Sequence, residues 1–474
     1  MSRSRLHPSL GVLFCVLLTA CGPEMQLEVP AATSTAAVTS STSLLSETDT
    51  PALKSVTPTP EDTVAEVLRD STARVSVATG NVESGGAFSQ PALSADGRFI
   101  AFDSATSGLA EGDTNNPHDV FVHDRETGVT ERVSIAPDGS QSNQASWGSA
   151  LSADGRHVAF TAIYDPPDGN EHRQVYVRDL ESRATTLISV APDGTPGNDQ
   201  SGGRLGISAS GHLVVFESLA NNLVSDDTNK ANDIFVHDRL SGKTRRVSVS
   251  SDGTQADFDS FGPAISADGR FVVFTSLASN LVPVDTPDAS DVFIHEMATG
   301  QTSRVSAPLE GLYGNSEPAI SADGRWITFV RHYAGPGPDI TEDTYNIFLV
   351  DRATGVESLI SVNSAGEASN LSSSIPAISG DGRYIAFHSL DSNLVAGDMN
   401  SDYDIFVYDR ESGETRLVSA NDNGEQGNGQ SFYVDISSDG RVIAFASAAT
   451  NLVPDDTNDS YDIFVHYPSI DGMR

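Results

Sequence analysis

The chain has 474 residues, and its 28 Lys and Arg against 65 Asp and Glu give a formal net charge of −37 at pH 7. This balance argues against nucleic acid as a partner and against adhesion of the protein surface to an anionic membrane, because both require clustered Lys and Arg. With 38% hydrophobic residues and 40 Gly, the composition is that of a folded chain and not of one disordered throughout.

Residues 1–20 are predicted to be a secretory signal peptide. Arg3 and Arg5 precede an apolar run over 10–18, which is about half of the roughly 20 residues that a membrane-spanning helix needs. Positions 18–21 read Leu-Thr-Ala-Cys and resemble the lipobox of bacterial lipoproteins. The resemblance implies that Cys21 is acylated and becomes the new N-terminus. An ordinary signal peptide followed by a chance Cys is the alternative.

Acylation of Cys21 would attach the chain to the membrane through lipid alone. By the same resemblance, Gly22 in place of Asp implies the outer membrane, with the leaflet left open. Residues 21–71 are rich in Ser, Thr, Ala and Pro and lack apolar periodicity, so we predict a tether, about 40 Å long if it is a flexible coil. The exported body has no second Cys to form a disulfide, and its stability must come from packing.

Residues 72–467 are built from internal repeats. An Asp-Gly hairpin signal between β-prone runs recurs every 55 to 58 residues, with one Ser-Gly copy. Asp-Gly supplies the positive φ angles that two-residue hairpins need. The seven copies are Asp96-Gly97, Asp154-Gly155, Ser210-Gly211, Asp268-Gly269, Asp323-Gly324, Asp381-Gly382 and Asp439-Gly440. Each is predicted to join the first two strands of a unit.

A third run of the type Asp-Ile-Phe-Val and a fourth of the type Arg-Val-Ser-Val complete four strands per repeat. The fourth run follows the third only six times, and the missing copy stands ahead of the first hairpin at 74–77. This permutation closes a ring, so we predict an all-β, seven-bladed β-propeller of four-stranded blades closed by an N-terminal strand. A β-solenoid is the alternative, although a straight stack would not need a strand from the far terminus. Residues 468–474 are predicted to be a short tail.

The repeats resemble a known family. The pattern Ser-Ala-Asp-Gly-Arg-aromatic-apolar-apolar-Phe, followed by Asp-Ile-Phe-Val-(His/Tyr)-Asp-Arg, is similar to the WD40-like, TolB-type propeller repeat of bacterial envelope proteins over residues 72–467. In the TolB family itself, a six-bladed propeller follows an α/β domain, and the protein docks on a peptidoglycan-associated lipoprotein. The seven units and the tether-like composition of this chain depart from that pattern, so a Tol-system role is not implied.

The loops before four of the third runs share the spacing Asp-x-Asn-x-x-x-Asp. Alternating oxygen ligands in a tight loop suit Ca²⁺, whereas Asp and Asn in such loops also form turns with their own backbone. Both interpretations are open, and the pattern decays in the remaining blades, where Pro287 replaces the Asn in one. The candidate Ca²⁺ ligands are Asp113, Asn115, Asp119, Asp227, Asn229, Asp233, Asp398, Asn400, Asp404, Asp456, Asn458 and Asp462.

No hydrolase elbow, zinc-protease, Cys-x-x-Cys or phosphate-loop motif occurs in the sequence. We therefore expect a lipid-anchored, monomeric envelope protein that acts as a non-enzymatic binding or scaffolding module through its acidic long-loop face, with a protein or polysaccharide as partner. The alternative is a Ca²⁺-assisted hydrolase or lyase acting on envelope or extracellular polysaccharide. Two or more carboxylates that converge at the channel mouth would favour the enzyme.

Overall fold

The computed structural model of the protein describes residues 70–468, with gaps at 81, 84–85, 87–89, 116, 143, 164–171, 286–288, 308–312 and 334–343. The predicted signal peptide, Cys21, residues 22–69 of the predicted tether and residues 469–474 lie outside the described residues. The described part of the chain consists of strands, turns and loops, and it contains no helix that is long and apolar enough to cross a membrane.

Thirty strands are assigned within the described residues. In chain order they are β1 Ser71–Arg74, β2 Val77–Ala78, β3 Val82–Glu83, β4 Ala92–Leu93, β5 Phe99–Ser104, β6 Asp119–Asp124, β7 Val129–Arg132, β8 Ser146–Leu151, β9 His157–Ala162, β10 Gln174–Asp179, β11 Ala184–Leu187, β12 Ser201–Ile207, β13 Leu213–Ser218, β14 Asp233–Asp238, β15 Lys243–Arg246, β16 Ser260–Ile265, β17 Phe271–Ser276, β18 Asp291–Glu296, β19 Gln301–Arg304, β20 Tyr313–Ile320, β21 Trp326–Tyr333, β22 Thr344–Asp351, β23 Val356–Leu359, β24 Ser373–Ile378, β25 Tyr384–Ser389, β26 Asp404–Asp409, β27 Glu414–Leu417, β28 Ser431–Ile436, β29 Ile443–Ser447 and β30 Asp462–Tyr467.

The strands form seven four-stranded antiparallel sheets and one small β2–β3 hairpin. Blades 1 to 6 take their four strands consecutively, from β4–β7 to β24–β27. Blade 7 has the order β1-β30-β29-β28, so its outermost strand comes from the other end of the domain. Arg74 pairs with Phe464 in that blade. The predicted seven-bladed propeller and its N-terminal closing strand are therefore confirmed, and the solenoid alternative is wrong.

The Asp-Gly hairpins also link neighbouring blades. Backbone hydrogen bonds run from turn to turn around one face, for example from the Ala153 N–H to the Ala209 carbonyl at 3.1 Å, and from the Ser438 N–H of blade 7 to the Ala95 carbonyl of blade 1 at 2.9 Å. Gly269 has φ +71°, and a Cβ there would lie 2.6 Å from Leu213 Cδ1 of the preceding blade. Glycine is thus required for both the turn and the blade contact.

Phenylalanine pairs fill the space between the blades. Phe274 of the second strand and Phe293 of the third strand stack in blade 4 with ring centroids 5.9 Å apart, and both are fully buried. Every residue of β17 is buried, as expected for a strand covered on both faces by adjacent blades. Each buried Phe contributes about 1.5–3 kcal/mol through removal of apolar surface from water.

The meander order places the connections on two opposite faces. The turns between strands one and two and between strands three and four lie on what we call the turn face. The connections between strands two and three, and those from each blade to the next, lie on the opposite side, the long-loop face. All four predicted Ca²⁺ loops therefore lie on the long-loop face, around the mouth of the central channel.

Candidate functional site

The final Asp of each Asp-x-Asn-x-x-x-Asp loop begins a third strand and is bound within the blade. In blade 3, Asp233 Oδ1 accepts a hydrogen bond from Ser248 Oγ, and the same Oγ accepts one from the Ile234 N–H at 3.1 Å. The Ser belongs to the repeated Val-Ser motif or its variants. The same Ser contact is made in all seven blades by Asp119, Gln174, Asp233, Asp291, Asn346, Asp404 and Asp462. This residue thus has a structural role, as a latch between the third strand and the end of the fourth.

An arginine lies between the two carboxylates in three of the four predicted Ca²⁺ loops. In blade 3, Arg246 Nη1 is 3.4 Å from Asp227 and 3.4 Å from Asp233. All three side chains are at most 4% exposed. The equivalent arginine contacts Asp113 and Asp119 in blade 1 and Asp456 and Asp462 in blade 7, at 3.3 to 3.8 Å. A guanidinium therefore stands close to both carboxylates of each loop, where a bound cation would have to compete with it.

The Asn of the motif acts as a turn residue and as a donor. Asn229 Oδ1 accepts from the Ala231 N–H two residues on at 3.1 Å, and its Nδ2 donates to Asp233 Oδ2 at 2.9 Å. Asn458 and Asn400 make the same turn, and Asn115 donates to the Ser142 carbonyl at 2.7 Å. These contacts favour the turn interpretation over a ligand role.

Blade 6 is the exception among these loops. Leu417 occupies the arginine position, so Asp398 and Asp404 have only Gln426 between them, whose Nε2 donates to both carboxylates at 2.7 Å. Burial raises the pKa of Asp398 and raises that of Asp404 to about 6. A cavity of about 410 Å³ lies beside the pair, lined in part by Gly397 and Leu417.

No group of three or more His, Cys, Asp or Glu side chains that could hold a metal occurs within the described residues. Calcium binding by the twelve candidate residues stays a prediction. Because blades 1, 3 and 7 already hold an arginine, blade 6 is the loop in which that prediction has the fewest competing contacts.

The channel mouth is shaped by bulges in the inner strands. Pairing with the second strand is interrupted there, and one residue of each bulge is left-handed, such as Gly262 with φ 61° and Ile375 with φ 50°. A β-branched residue in this region is strained by about 1–3 kcal/mol. The bulge N–H groups are bound by acids of the preceding blade, because Glu217 Oε2 accepts from Gly262 at 2.9 Å and Glu317 Oε2 accepts from Ile375 at 2.8 Å.

Asp103 has the equivalent role between blades 1 and 2. Its Oδ1 accepts from the Gly148 N–H at 3.3 Å, and its Oδ2 lies 3.1 Å from His118 Nδ1. The hydrogen bond to Asp103 raises the pKa of His118. Asp103 and Glu317 both act electrostatically on Tyr433 of blade 7, whose pKa is raised mainly by burial. Carboxylates of different blades thus face the channel mouth, each with one oxygen fixed on backbone.

A rim position directly precedes the residue of each third strand that makes the Ser contact, and it carries a tyrosine in three consecutive blades. In blades 1 to 7 the rim residues are His118, Arg173, Asn232, Ser290, Tyr345, Tyr403 and Tyr461. We call Tyr345, Tyr403, Tyr461 and the adjacent Phe432 the aromatic arc. Its members are at least partly exposed.

Ring contacts connect most of the arc. The Phe432 ring lies 5.0 Å from that of Tyr403 and 6.1 Å from that of Tyr461. His388 packs against Tyr403 at 5.1 Å, and its Nε2 is 2.6 Å from Ser374 Oγ. The arc and the channel acids were not predicted from the sequence, although the tyrosines directly before Asn346, Asp404 and Asp462 were visible in it.

No protein-family model matches the sequence, and no curated protein matches it either. Solved structures do match. An oligogalacturonate lyase from Vibrio parahaemolyticus has a TM-score of 0.52 at 13% identity, with 84% of this chain and 93% of that chain covered. An oligogalacturonate lyase in complex with manganese gives 0.53 at 14% identity, covering 85% and 94%.

The β-propeller domain of the trilobed protease from Pyrococcus furiosus also matches, with a TM-score of 0.50 at 12% identity over 82% of this chain and 97% of that one. TolB from Acinetobacter baumannii is among the matches with a TM-score of 0.38 at 16% identity, covering 63% and 61%. At these identities the matches with TM-scores of 0.50 or above establish the propeller fold alone.

Proposed function

We propose that this protein is a carbohydrate-binding propeller of the cell envelope and that its ligand lies across the aromatic arc at the channel mouth. The observation that carries the proposal is the same rim position occupied by Tyr345, Tyr403 and Tyr461 on three consecutive blades. Flat, amphipathic rings with polar groups close by form the kind of surface that binds a sugar ring by one face. The proposal thus narrows the predicted binding surface from the whole long-loop face to the aromatic arc.

The channel acids supply the polar groups. Glu217 and Glu317 each bind a bulge N–H through Oε2, and no described residue donates a hydrogen bond to their Oε1 atoms. A carboxylate oxygen fixed by its partner oxygen is a preorganised acceptor for a sugar hydroxyl. Gly203 leaves room for this geometry, since a Cβ at that position would overlap Glu217 Oε1.

The test is binding of a panel of soluble polysaccharides by isothermal titration calorimetry. We expect Tyr403→Ala to weaken binding about tenfold or more, because an aromatic anchor at the centre of an interface contributes most of its energy. The matched control is Leu240→Ala, which removes a 73% exposed apolar side chain from the turn face. Equal loss in both variants, or no binding of any polysaccharide by the unaltered protein, would contradict the proposal.

The envelope location rests on the predicted lipid on Cys21, which lies outside the described residues. Cys21→Ala should release the protein from the membrane fraction, whereas a serine elsewhere in the tether, such as Ser41→Ala, should not. Retention of the Cys21 variant in membranes after a salt wash would contradict lipid anchoring.

An enzyme acting on the same polysaccharide is the second candidate function. The observation that favours it is that Asp103 and Glu317, in different blades, each bind a bulge N–H of the next blade at the channel mouth, and two solved propellers of similar fold bear the name oligogalacturonate lyase. The test is incubation with each bound polysaccharide, followed by measurement of new reducing ends and of the ultraviolet absorbance of unsaturated products. If the protein is an enzyme, Glu317→Gln should abolish turnover. If the unaltered protein forms no products, the enzyme candidate is excluded and the binding function is retained.

A further inference from the structure

Arg204 is a cation of the channel with which no described residue forms an ion pair. It lies in the irregular stretch between Ser201 and Leu205 of β12, where pairing with β13 is interrupted. The side chain is half-buried, and its guanidinium makes no hydrogen bond or ion pair with any residue of the described ranges. The arginines of the blade latches, in contrast, are held between carboxylates, as Arg246 is by Asp227 and Asp233.

The guanidinium belongs to the innermost strand of blade 3. It acts on Glu217 in its own blade, where it opposes the rise in pKa caused by burial. It also acts on His388 of blade 6 and Tyr433 of blade 7. Burial is the main cause that lowers the pKa of His388 to about 3, and Arg204 is the second. Blades 6 and 7 lie opposite blade 3 in a ring of seven, and β12 is the innermost strand of its blade, so Arg204 lies on a strand that lines the channel.

The carboxylates near the channel mouth form hydrogen bonds with groups other than Arg204. Glu217 and Glu317 are tied to the bulge N–H groups of Gly262 and Ile375, and Asp103 is tied to Gly148 and His118. None of the three carboxylates reaches Arg204 at ion-pair distance. A half-buried guanidinium that no described residue binds has its donors available to a ligand.

We infer that Arg204 recognises a carboxylate on the bound carbohydrate, so that the protein selects acidic over neutral polysaccharides. This inference rests on the proposed function. The aromatic arc of blades 5–7 would hold the face of a uronic-acid ring, and Arg204 would reach its carboxylate from blade 3. A guanidinium fits a carboxylate through two parallel hydrogen bonds. On a protein with a net charge of −37, such a residue is needed at the site itself to offset repulsion of an acidic chain.

The rim of blade 2 also carries a cation, on the side opposite the aromatic arc. Arg173 of blade 2 lies over the Trp147 ring at 5.9 Å from its centroid, and its Nε donates to Gln200 at 2.9 Å. The cationic side chains of blades 2 and 3 thus face the aromatic side chains of blades 5 to 7 across the mouth. A ligand that carries both an apolar ring face and a negative charge satisfies both sides.

The experiment measures binding of three matched trisaccharides to the full-length protein by calorimetry: a uronic-acid trisaccharide, its methyl ester, and the neutral trisaccharide of the same configuration. The ester removes only the charge. We expect the acid to bind about tenfold to hundredfold more tightly than the ester, as for hydrogen bonds to charged groups, and its affinity alone to fall with added salt.

Arg204→Gln should abolish the preference for the acid while leaving the affinity for the ester unchanged, and Arg204→Lys should retain part of it. Arg270→Gln, on the turn face, is the control and should leave the preference intact. A thermal melt of each variant verifies folding. Equal affinity of the unaltered protein for acid and ester, or a preference that survives in Arg204→Gln, overturns this inference and leaves the proposed function standing. Failure of all three sugars to bind overturns both.

Discussion

Blades 3 and 6 have the same four strands, the same Asp-x-Asn-x-x-x-Asp loop and the same Ser latch, yet their chemistry differs. In blade 3 the acid pair is neutralised by Arg246, and the rim residue is the polar Asn232. In blade 6 Leu417 replaces the arginine, Gln426 alone bridges the two acids, and the rim residue is Tyr403. The comparison shows that the same loop pattern is neutralised by an arginine in one blade and lacks that arginine in another.

The other blades show how closely the arginine and the acids depend on each other. Blades 1, 3, 4 and 7 have both an Asp at the start of the third strand and an Arg before the Ser motif, whereas blades 2 and 5 have neither. In blade 5, Asn346 with Leu359 keeps the Ser contact at 2.8 Å without any charge. Blade 6 alone keeps the two acids without the arginine.

Removal of the arginine from blade 3 should have the largest effect. Arg246→Leu leaves two buried carboxylates unpaired, and we expect the free energy of unfolding to fall by about 3–5 kcal/mol at pH 7. Urea denaturation measures this loss. Arg270→Leu, an exposed arginine in the next blade, should cost less than about 1 kcal/mol. An equal loss of stability in the two variants would contradict a stabilising role of Arg246 between the two carboxylates.

Neutralisation of the acid in blade 6 should stabilise the protein. Burial raises the pKa of Asp404 to about 6 from the ordinary value of 3.8. The protonated carboxyl therefore favours the folded protein below about pH 4, and this contribution to stability is lost as the pH rises through 6. Asp404→Asn should therefore gain about 2 kcal/mol or less at pH 7.5, and the gain should shrink as the pH is lowered toward 4.

The matched variant is Asp233→Asn in blade 3. Burial raises the pKa of Asp233 to about 6 as well, so its gain should have the same sign but be smaller, since Arg246 loses one of its partners. Denaturation of both variants at several pH values tests the contrast. A destabilised Asp404→Asn at pH 7.5 would show that the pair in blade 6 needs its charge.

Calcium should act through blade 6 and not through blade 3. At ten times its dissociation constant a ligand bound only by the native state stabilises by about 1.4 kcal/mol. We expect thermal melts with and without chelator to show this shift in the unaltered protein and in Asp227→Asn, but not in Asp398→Asn. An unfolding midpoint that does not respond to chelator in any of the three proteins would remove calcium as a structural cofactor.

The fold could be predicted almost completely from the sequence. Asp-Gly turns require a positive φ, and the copy of the fourth run at 74–77 could only complete a ring, so local chemistry and repeat count determined the blade number. The inner strands were harder to anticipate. A bulge at Gly262 is readable from glycine, but the same bulge at Ile375 is not, because tertiary packing and the Glu317 contact hold a β-branched residue in a conformation that it avoids alone.

The site was predicted only as a face. The Asp and Asn spacing is compatible with a cation and favours a turn. The competing contact comes from Arg246, which lies 13 residues beyond Asp233 along the chain and joins it only in the folded blade. The replacement of this arginine by Leu in blades 2, 5 and 6 was the available signal. Arg204 could not be recognised from sequence, since only the folded channel shows that no described residue pairs with it.

The most direct test of the central claim is an alanine scan of the rim, with the affinity for the bound polysaccharide measured for each blade. We predict that Tyr345→Ala, Tyr403→Ala and Tyr461→Ala each weaken binding about tenfold or more, whereas Asn232→Ala and Ser290→Ala change it less than twofold. Losses spread evenly around the ring, or concentrated in blades 3 and 4, would contradict the assignment of the ligand to the aromatic arc.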